Sequence, residues 1–480
     1  MPEQDIAHGL MFGKRYFALF PDLGTGKTFM LLREFLAAWQ AGLVDGALVI
    51  APPDVHAQWI DEEWPKICKL PCIGAAWPAL PPMERANLPR IFTIYPEAFR
   101  RRRRKGETPE EKKMLREHRK RMRERGKMDS QDVWKLCQRF MVSGRIALII
   151  DESQMVANAS SNTTRRIKSL KPLAAYRRIA SGFPAPKKIQ YYAQYSLLST
   201  RILECQTKGE FMDRYCVMGG FKGKQIVGYQ NEEDFNRRVA PYTYTVRIED
   251  CVDMPERTYE TYPVRLSPEQ ERLIRQINDE FRAVLGEDTI NMPLALQRLT
   301  RIQQVSCGFL PKLDQRGKPT GELQWIKEHR TEALENLINS IRGKVIIWSR
   351  FKPCILRLAK HFGDMAVQYR GGMSKQEKLE AKNEFIRRER CKLIFAQSKS
   401  AGTGTNGLTV AHHMVYWSNE QVAQLRRQTE RRIWRIGQEE PCVYVDLVAK
   451  GTHDANIRRT VRSQLDVATG VLKDIARWRI

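Results

Sequence analysis

The sequence predicts an α/β fold built on a doubly wound parallel sheet. Short apolar runs at residues 16–20, 46–51, 91–95 and 145–150 have the length and composition of strands that are buried on both faces. Segments with helical periodicity separate these runs, and the second run stops at Pro52. Strands that alternate with helices at this spacing favour a parallel sheet, whose ligands bind at the carboxyl ends of the strands.

The first apolar run leads into a stretch that is typical of a phosphate-binding loop. Gly24, Thr25, Gly26, Lys27 and Thr28 follow it closely, and glycines leave room for consecutive backbone N–H groups around phosphate oxygens. Lys27 would reach the β and γ phosphates of a nucleoside triphosphate, and the Thr28 hydroxyl would hold Mg²⁺. A helix beginning near Thr28 would direct its positive end at the anion.

Two other residues bear on this loop. Pro21 occupies the place of the usual first glycine, so a structural turn that happens to contain lysine is the alternative interpretation. Gln4 lies 23 residues before Lys27, on a predicted helix that packs beneath the loop. Its amide can both donate and accept hydrogen bonds, as the edge of adenine requires, although a surface glutamine is the simpler alternative.

The apolar run at residues 145–150 delivers two acids, Asp151 and Glu152, to the end of a predicted central strand. Asp151 would bind Mg²⁺ through its hydration shell, and Glu152 would orient and deprotonate the attacking water. A pair of acids at a strand end is also common as a helix cap. Because this pair follows a phosphate loop, the pattern favours nucleotide hydrolysis.

The chain is strongly basic. Its 480 residues include 81 Lys or Arg against 55 Asp or Glu, a formal net charge of +26. A charge of this size indicates a polyanionic partner, with nucleic acid as the first candidate. The length allows about two to four domains with proper cores, and a hydrophobic content of 42% is typical of globular proteins.

One segment carries over a third of this charge. Residues 100–127 contain fifteen Lys or Arg against five Glu, a local net charge of +10. Met114, Leu115 and Met122 are too sparse for the buried face of a packed helix, so we expect an exposed helical insertion or a mobile loop. The segment is either a solvated charged arm or an element that tracks phosphates and binds less tightly as salt increases.

No apolar run approaches the roughly 18 residues that span a bilayer, and the first residues lack a signal-peptide pattern. We therefore expect a protein that stays inside the cell and has no membrane partner. Ten cysteines are scattered singly, apart from Cys68 and Cys72. Since no second pair lies nearby, neither a zinc site nor a disulfide framework is indicated, and we expect reduced thiols, mostly in the core.

Five stretches stand in a recognisable order along the chain. They are residues 51–59, 151–154 (Asp-Glu-Ser-Gln), 181–184 (Ser-Gly-Phe-Pro), 393–408 and 428–438, which ends in Arg-Ile-Gly-Gln. Together they resemble the motifs of helicase superfamily 2, and the last ending is specific to its Swi/Snf-type ATPases. The resemblance runs from about Gln4 to about Thr452 and is that of a compact bacterial or phage-like member.

The resemblance implies two RecA-like lobes, each a doubly wound parallel sheet with helical insertions, with ATP and Mg²⁺ in the cleft between them. The first lobe is expected at residues 1–255, with a basic insertion at about 100–140 and an insertion rich in Gly, Lys and aromatics at about 205–240. The second is expected at 256–480, with a helical protrusion at about 267–330 and a C-terminal helix at about 455–480.

Two arginines near the end of the chain are candidates for catalysis. Arg432 and Arg435 lie three residues apart, which on a helix places both on one face, where two guanidiniums can reach one γ phosphate. They would act as arginine fingers, which can be worth about 10³ or more in rate. We assign no catalytic role to Arg426, Arg427 and Arg431, which are expected to be solvated or to contact the backbone.

The resemblance also implies the remaining candidate residues. Nucleotide contacts are expected from Gln4, Gly24, Thr25, Gly26, Lys27, Thr28, Gly404 and Gln428. Coupling of the nucleotide state to DNA is expected from Gln154, Ser181 and Gly182. Contacts with DNA are expected from Gln58, Trp59, Tyr95, Ser398 and Lys399.

Three residues depart from the family pattern. Phe183 stands where the family has threonine, so a hydroxyl that helps to link nucleotide state to DNA contact is absent. Trp434 replaces the usual histidine between the two arginines, and Gln154 replaces the final histidine of the acidic motif, which is a tolerated variant. None of these changes affects the predicted hydrolytic residues.

These features predict an ATP-dependent translocase on double-stranded DNA, driven by DNA-stimulated ATP hydrolysis. The alternatives are a strand-separating helicase on DNA or RNA, and a nucleotide-gated DNA-binding factor with weak hydrolysis, which Phe183 favours. We expect a monomeric motor with protein partners in replication, repair or transcription. Its expected location is the cytoplasm and nucleoid of a bacterial or phage-infected cell, or the nucleus of a eukaryote.

Overall fold

The computed structural model divides the chain into two compact units. The first unit comprises residues 1–252 together with 466–480, and the second comprises residues 253–465. The structure describes residues 2–52, 58–69, 72–76, 88–99, 130–220, 223, 225–285, 292–314, 319–400 and 407–478.

The first unit contains a seven-stranded parallel sheet with the strand order β3-β4-β2-β5-β6-β1-β9. The strands are β1 Tyr16–Leu19, β2 Gly46–Ile50, β3 Ile73–Ala76, β4 Arg90–Ile94, β5 Ile146–Ile150, β6 Tyr176–Ala180 and β9 Thr243–Tyr244. Strand β6 lies between β1 and β5. The carboxyl ends of these three strands therefore meet at one edge of the sheet, where parallel α/β sheets bind ligands.

Both faces of this sheet are covered by hydrophobic side chains. Leu148 and Ile150 of β5 belong to one buried cluster, whereas Ala147 and Ile149 belong to another. Successive side chains of a strand point to opposite faces, so a strand with helices on both sides needs an uninterrupted apolar run. This is why the run at residues 145–150 predicted a central strand correctly.

The helices of the first unit follow its strands. Among the described residues they are α1 Pro2–Met11, α2 Lys27–Gln40, α3 Trp64–Ile67, α4 Ser130–Met141, α5 Asn162–Ser169, α6 Lys188–Leu198, α7 Thr200–Leu203, α8 Lys208–Tyr215 and α9 Glu232–Val239. A π-helical turn, Gln58–Glu63, precedes α3.

Of the two predicted insertions of the first lobe, the structure describes most of one and only the end of the other. The one at about 205–240 consists of α8, α9 and, between them, an antiparallel hairpin of β7 Cys216–Gly219 and β8 Gln225–Tyr229. Most of the basic insertion at about 100–140 lies outside the described residues, which resume with α4 at Ser130.

The second unit contains a six-stranded parallel sheet with the order β10-β17-β16-β13-β15-β14. Its strands are β10 Arg257–Val264, β13 Lys344–Ser349, β14 Ala366–Tyr369, β15 Leu393–Gln397, β16 Ala411–Tyr416 and β17 Cys442–Ala449. A separate antiparallel hairpin is formed by β11 Phe309–Leu313 and β12 Pro319–Trp325.

The described helices of this unit include the two that make up most of the predicted protrusion at about 267–330. The helices are α10 Pro268–Leu285, α11 Met292–Ser306, α12 Arg330–Ser340, α13 Lys352–Phe362, α14 Lys375–Arg387 and α15 Ala423–Glu430. The predicted fold class, α/β with two RecA-like parallel-sheet lobes and helical insertions, is confirmed.

The end of the chain differs from the expected domain boundary. Helix α16, Asp454–Arg477, was expected to complete the second lobe. Residues 466–480 instead group with the first unit, because Val471 and Ile475 are buried in one of its two hydrophobic clusters. The division after Val252 lies within three residues of the predicted one at residue 255.

Two expectations from composition can be compared with the described residues. None of the described helices has both the length and the apolar character needed to cross a bilayer. Seven of the ten cysteines are buried, as expected for thiols of the core, and Cys68, Cys72 and Cys251 are half-buried.

Candidate active site

The glycine loop connects β1 to α2 at the carboxyl edge of the first sheet. Gly24 and Gly26 have φ angles of 95° and 85°, in the left-handed region that residues with a side chain rarely adopt. Thr25 is buried and donates from its hydroxyl to Asp22 O over 2.8 Å, which fixes the turn. Helix α2 begins at Lys27, so the loop ends at a helix N-terminus, as a phosphate site requires.

Gln4 lies on α1 and contacts this loop. Its side-chain amide donates to Thr25 O over 3.2 Å, and a Cβ atom on Gly26 would collide with the same amide. Met11 of α1 and Met30 of α2 belong to the same buried cluster. The predicted packing of the first helix against the loop region is therefore present in the structure.

Asp151 and Glu152 lie directly after β5. Asp151 is only 2% exposed, and its Oδ1 accepts a hydrogen bond from Glu152 N over 2.9 Å. Glu152 has a φ angle of 54°, a left-handed conformation that is uncommon for residues other than glycine. Such residues concentrate at functional sites, where the surrounding structure holds them.

Lys27 joins the loop to these two acids. Its Nζ lies 2.8 Å from Asp151 Oδ1 and also contacts Glu152 Oε1. Burial would lower the pKa of Lys27, but the neighbouring Asp151 and Glu152 carboxylates outweigh burial and raise the pKa above its ordinary value. The lysine therefore stays protonated and compensates the charge of both acids.

The same residues fit a hydrated Mg²⁺ ion better than a cage of protein ligands. Among the described residues, no three His, Cys, Asp or Glu side chains are grouped to hold a metal ion. In nucleotide sites Mg²⁺ keeps several waters and takes one or two protein ligands beside the phosphate oxygens. Thr28 in the first turn of α2 and Asp151 after β5 offer this donor set.

Hydrogen bonds lead from Glu152 to the end of β6. Gln154 Nε2 donates to Glu152 Oε2 over 2.5 Å, and Ser181 Oγ donates to Gln154 Oε1. Gly182 lies so close to Leu23 of the glycine loop that a Cβ atom would collide with the leucine side chain. The residues expected to couple the site to DNA, Gln154, Ser181 and Gly182, thus lie in contact with the acidic pair and the loop.

Sequence analysis missed Gln194, which supports this arrangement. It is fully buried on α6, accepts a hydrogen bond from Ser153 Oγ over 2.5 Å and donates to Pro184 O over 2.7 Å. It therefore ties the acidic motif to the segment after β6. A glutamine among the mostly aromatic and aliphatic residues 191–198 was the available signal, since buried polar groups are nearly always paired.

In the second unit, Arg432 and Arg435 do not lie on a helix, contrary to the sequence-based expectation. Helix α15 ends at Glu430, and residues 431–437 form turns. Ile433 and Trp434 of this segment are both buried. Both arginines are half-buried in these turns.

Gln438, at the end of the same motif, fixes the turn segment to the sheet. It is buried, and its Nε2 lies within hydrogen-bonding distance of Thr409 O and Ala411 O at 3.1 Å and Ile433 O at 3.2 Å. The glutamine of the Arg-Ile-Gly-Gln ending therefore connects the turn segment to the residues at the start of β16 through backbone carbonyl groups.

Arg426 was expected to be solvated or to contact the backbone, but it is buried and ion-paired. Its guanidinium donates to Asp446 Oδ1 over 2.5 Å and to Glu430 Oε1 over 2.6 Å, and it stacks over Tyr416 at 3.4 Å from the ring centroid. A buried charge needs paired partners. Since Asp446 and Tyr416 lie on strands β17 and β16, these contacts hold α15 on the sheet. Arg431 is also buried.

Two known proteins are similar to the chain in sequence. No family model matches the chain. It is 26% identical over 332 residues to YwqA of Bacillus subtilis, provisionally named an ATP-dependent helicase/translocase, covering 65% of this chain and 34% of that one. It is 22% identical over 346 residues to the SWI/SNF-related matrix-associated actin-dependent regulator of chromatin subfamily A-like protein 1 of Drosophila melanogaster, covering 68% and 41%.

The chain is thus similar in sequence to a SWI/SNF-related protein and to a named ATP-dependent helicase/translocase. This confirms the resemblance that the motifs indicated. The chain spans well under half the length of either relative, 34% and 41%.

Two solved structures of the SWI/SNF type are similar to the chain at a low level. The Sulfolobus solfataricus SWI2/SNF2 ATPase core in complex with double-stranded DNA has a TM-score of 0.39 and 18% identity, covering 100% of this chain and 96% of that one. The core domain of the same ATPase has a TM-score of 0.38 and 18% identity, covering 96% and 86%.

Two of the residues expected to contact DNA have buried side chains. Trp59 is fully buried and donates from Nε1 to Asp151 Oδ2 over 3.2 Å, so it supports the acidic pair. Ser398 is also buried. Trp59 belongs to the packed interior of the first unit and Ser398 to that of the second.

The other expected contacts are placed differently. Lys399 is exposed and Tyr95 is half-buried, so both are accessible. Gln428 on α15 is half-buried. Gly404 lies outside the described residues, and the described part of Gln58 is its backbone in the π-helical turn.

Proposed function

We propose that the protein is an ATP-dependent motor that hydrolyses ATP in response to double-stranded DNA and translocates along the duplex. The observation that carries this proposal is the junction of Lys27, Asp151 and Glu152 at the carboxyl edge of the first sheet. The two relatives support it, since one is named an ATP-dependent helicase/translocase and the other is named SWI/SNF-related.

The glycine loop would bind the triphosphate of ATP. Lys27 would exchange its contacts with Asp151 and Glu152 for the β and γ phosphates, and the N-terminus of α2 would face the same anion. Gln4, which already contacts the loop, is proposed to recognise the adenine edge. Gly404 and Gln428 are proposed as nucleotide contacts from the second unit.

Mg²⁺, held by Thr28 and through water by Asp151, would neutralise charge on the phosphates when bound. Release of Lys27 would leave Glu152 as a carboxylate at the end of β5, where it can orient a water and accept its proton. The hydrogen bond from Gln154 keeps Glu152 aimed during this exchange.

Arg432 and Arg435 are proposed as arginine fingers from the second unit. Burial lowers the pKa of Arg435, because its charge is poorly solvated. A γ phosphate brought to this guanidinium would stabilise its positive charge, so ATP binding would favour a closed arrangement of the two units. Closure on ATP and opening after hydrolysis would give the alternating grip that translocation requires.

Double-stranded DNA is the proposed partner because of charge. A net charge of +26 favours a polyanion, and the exposed Lys399 and accessible Tyr95 remain candidate contacts. Motor activity without strand separation is proposed over a helicase because the motifs resemble those of the Swi/Snf-type ATPases, but the name of YwqA includes both activities.

The first test measures steady-state ATP hydrolysis with and without linear duplex DNA. Two further assays measure displacement of a triplex-forming strand, which reports translocation, and strand separation on a forked duplex, which reports helicase activity. We expect stimulation by duplex DNA, triplex displacement and no strand separation. Strand separation would identify a helicase, and DNA binding without stimulated hydrolysis would identify a nucleotide-gated binding factor. Either result would reject the translocase.

A further inference from the structure

Trp434 is held on three sides by residues of the second unit. It is 2% exposed, and its indole Nε1 donates to Pro255 O over 2.7 Å. The guanidinium carbon of Arg257 lies 3.8 Å from the ring centroid, and that of Arg431 lies 4.2 Å from it. The indole is therefore fixed by one hydrogen bond and two cation–π contacts.

These contacts connect two parts of the chain that have different roles. Trp434 stands between Arg432 and Arg435 in the turn segment after α15. Pro255 and Arg257 are among the first residues of the second unit, which begins at residue 253, immediately after the first unit's Val252. The indole thus ties the proposed arginine fingers to the segment that connects the two units.

Tyr259, two residues after Arg257 on β10, contacts the end of α15 and strand β17. The Tyr259 hydroxyl donates to Glu430 Oε2 over 3.3 Å, and the Tyr259 ring stacks on Tyr444 with centroids 5.1 Å apart. Arg257 and Tyr259 share one face of the strand, because side chains alternate along it. One face of β10 therefore contacts both the end of α15, at Glu430, and the turn segment, at Trp434.

We propose that Trp434 is a positioning residue for Arg432 and Arg435, which sets their place from the segment connecting the two units. This inference rests on the proposed ATPase function and deepens it. The turn segment has backbone hydrogen bonds such as Trp434 N to Glu430 O over 3.3 Å, and the contacts of the indole add a side-chain anchor between the two arginines. A shift of Pro255 and Arg257 when the units close or open would pass through the indole to both arginines.

Two substitutions of Trp434 separate its contributions. Trp434→Phe keeps an aromatic ring between the two guanidiniums but removes the N–H donor to Pro255 O. Trp434→Ala removes both. The matched control is Trp325, which lies in the same unit, is 47% exposed and has Arg357 over its ring at 4.8 Å, but does not contact the turn segment.

We expect Trp434→Ala to lower kcat for duplex-stimulated hydrolysis by about tenfold to a hundredfold, since a misplacement of about 1 Å can cost about 10²-fold. Trp434→Phe should lower it less, by about threefold, because the ring stays in place. KM for ATP should change by less than about twofold in both, as the glycine loop supplies most ground-state binding. Trp325→Ala should leave kcat and KM within about twofold of the unsubstituted protein.

Hydrogen exchange tests the connection itself. Amides of residues 253–257 should exchange faster in Trp434→Ala than in the unsubstituted protein, whereas Trp325→Ala should not change them. A kcat within about twofold of normal in Trp434→Ala would overturn the proposal. Lowered kcat without faster exchange at residues 253–257 would also overturn it, since the arginines would then be positioned without the connecting segment.

If Trp434→Ala does not fold, a double-mutant cycle of Trp434→Phe with Arg257→Gln tests the proposal instead. If the two residues are coupled, the double variant should reduce kcat by less than the product of the two single reductions. A reduction equal to that product would show independent residues and overturn the proposal. Absence of duplex-stimulated hydrolysis in the unsubstituted protein would instead reject the proposed function, so the two failures are distinguishable.

Discussion

At the scale of single residues, Lys27 sets the charge balance of the candidate site. It pairs with Asp151 and Glu152, and its own side chain is only 12% exposed. Removing one partner of a buried ion pair costs about 3–5 kcal/mol, because the other charge is left without compensation. A substitution of Lys27 therefore affects stability as well as nucleotide binding, and Glu152 is the cleaner position for a test of catalysis.

We predict that Glu152→Gln lowers duplex-stimulated ATP hydrolysis by about 10²-fold or more, the contribution of a positioned general base. The amide keeps the size of the side chain but cannot accept the proton of water. Duplex binding should be nearly unchanged, and the thermal midpoint should fall only slightly, because Asp151 still compensates the charge of Lys27. Steady-state hydrolysis, fluorescence anisotropy with labelled duplex and a thermal melt measure the three quantities.

Glu204 provides the control for this substitution. It is also a glutamate with a positive φ angle, 50°, and it is paired with Arg238 at 2.8 Å, but it follows α7 and has no contact with Lys27 among those of the described residues. Glu204→Gln should retain hydrolysis within about twofold. Comparable reductions in both variants, or full activity of Glu152→Gln, would reject the catalytic assignment.

Some residues of the candidate site could be predicted from the sequence and others could not. Lys27, Asp151 and Glu152 were predictable, because each follows a strand that is recognisable from its apolar run. Trp59 was not, because a tryptophan near a motif can face either solvent or the core, and only the hydrogen bond to Asp151 decides. Gln194 was missed for the same reason, as its partners lie 10 and 41 residues away.

At the scale of elements, Asp234 organises the helical insertion of the first unit. It accepts hydrogen bonds from the Tyr215 hydroxyl over 2.7 Å and from Arg238 Nε over 2.9 Å, and it pairs with Arg214 at 2.9 Å. Burial would raise the pKa of Asp234, but these partners lower it to about 2. Helices α8 and α9 are therefore joined through one carboxylate.

We predict that Asp234→Asn lowers the free energy of unfolding at pH 7 by about 1–3 kcal/mol, the cost of weakening hydrogen bonds to a charged group. Because the pKa is depressed in the folded state, the stabilisation is complete above the unfolded pKa of about 3.9. It is lost as the pH falls from there toward about 2. In urea denaturation, the difference in the free energy of unfolding between the variant and the unsubstituted protein should become smaller below about pH 4.

Asp250→Asn is the matched control for this effect. Asp250 pairs with Arg247 at 2.9 Å, but both side chains are about half exposed, at 50% and 45%. Exposed pairs are worth roughly 0–1 kcal/mol, so this variant should differ little from the unsubstituted protein at pH 7. A pH-independent destabilisation in Asp234→Asn would show that packing, rather than charge, is responsible.

The turn after α15 shows why an element can be predicted incorrectly from a motif. The spacing of Arg432 and Arg435 is compatible with a helix, and sequence periodicity alone cannot separate a helix from consecutive turns over so short a stretch. The indole of Trp434 and the amide of Gln438 select the turns, because both need backbone carbonyl partners outside the segment.

At the scale of the whole molecule, charge is the dominant property. The net charge is +26, and residues 100–127 carry +10 of it. These residues lie outside those that the structure describes, so their role rests on the sequence. Each phosphate neutralised by a cation adds about 0.9 to the slope of log affinity against log salt for B-form DNA.

We predict that deleting residues 101–127 weakens duplex binding and flattens its salt dependence by about 0.9 for each phosphate that the segment neutralises in the intact protein. Hydrolysis without DNA should be unaffected, since the deletion contains no residue of the candidate site. Affinities for a labelled duplex at about 50–200 mM salt give the slope. An unchanged slope would mean that the segment is a solvated arm that does not bind phosphate.

Apolar runs, the glycine loop and the acidic pair determined by themselves that the chain forms doubly wound parallel sheets with a candidate nucleotide site at the carboxyl edge of the first, because these signals are local and periodic. The motif order determined the resemblance to Swi/Snf-type ATPases. Only the tertiary structure decided that Lys27 neutralises both acids, that Trp59 and Arg426 are interior supports, and that residues 466–480 join the first unit. Burial and ion pairing join residues far apart in the chain, so no local pattern records them.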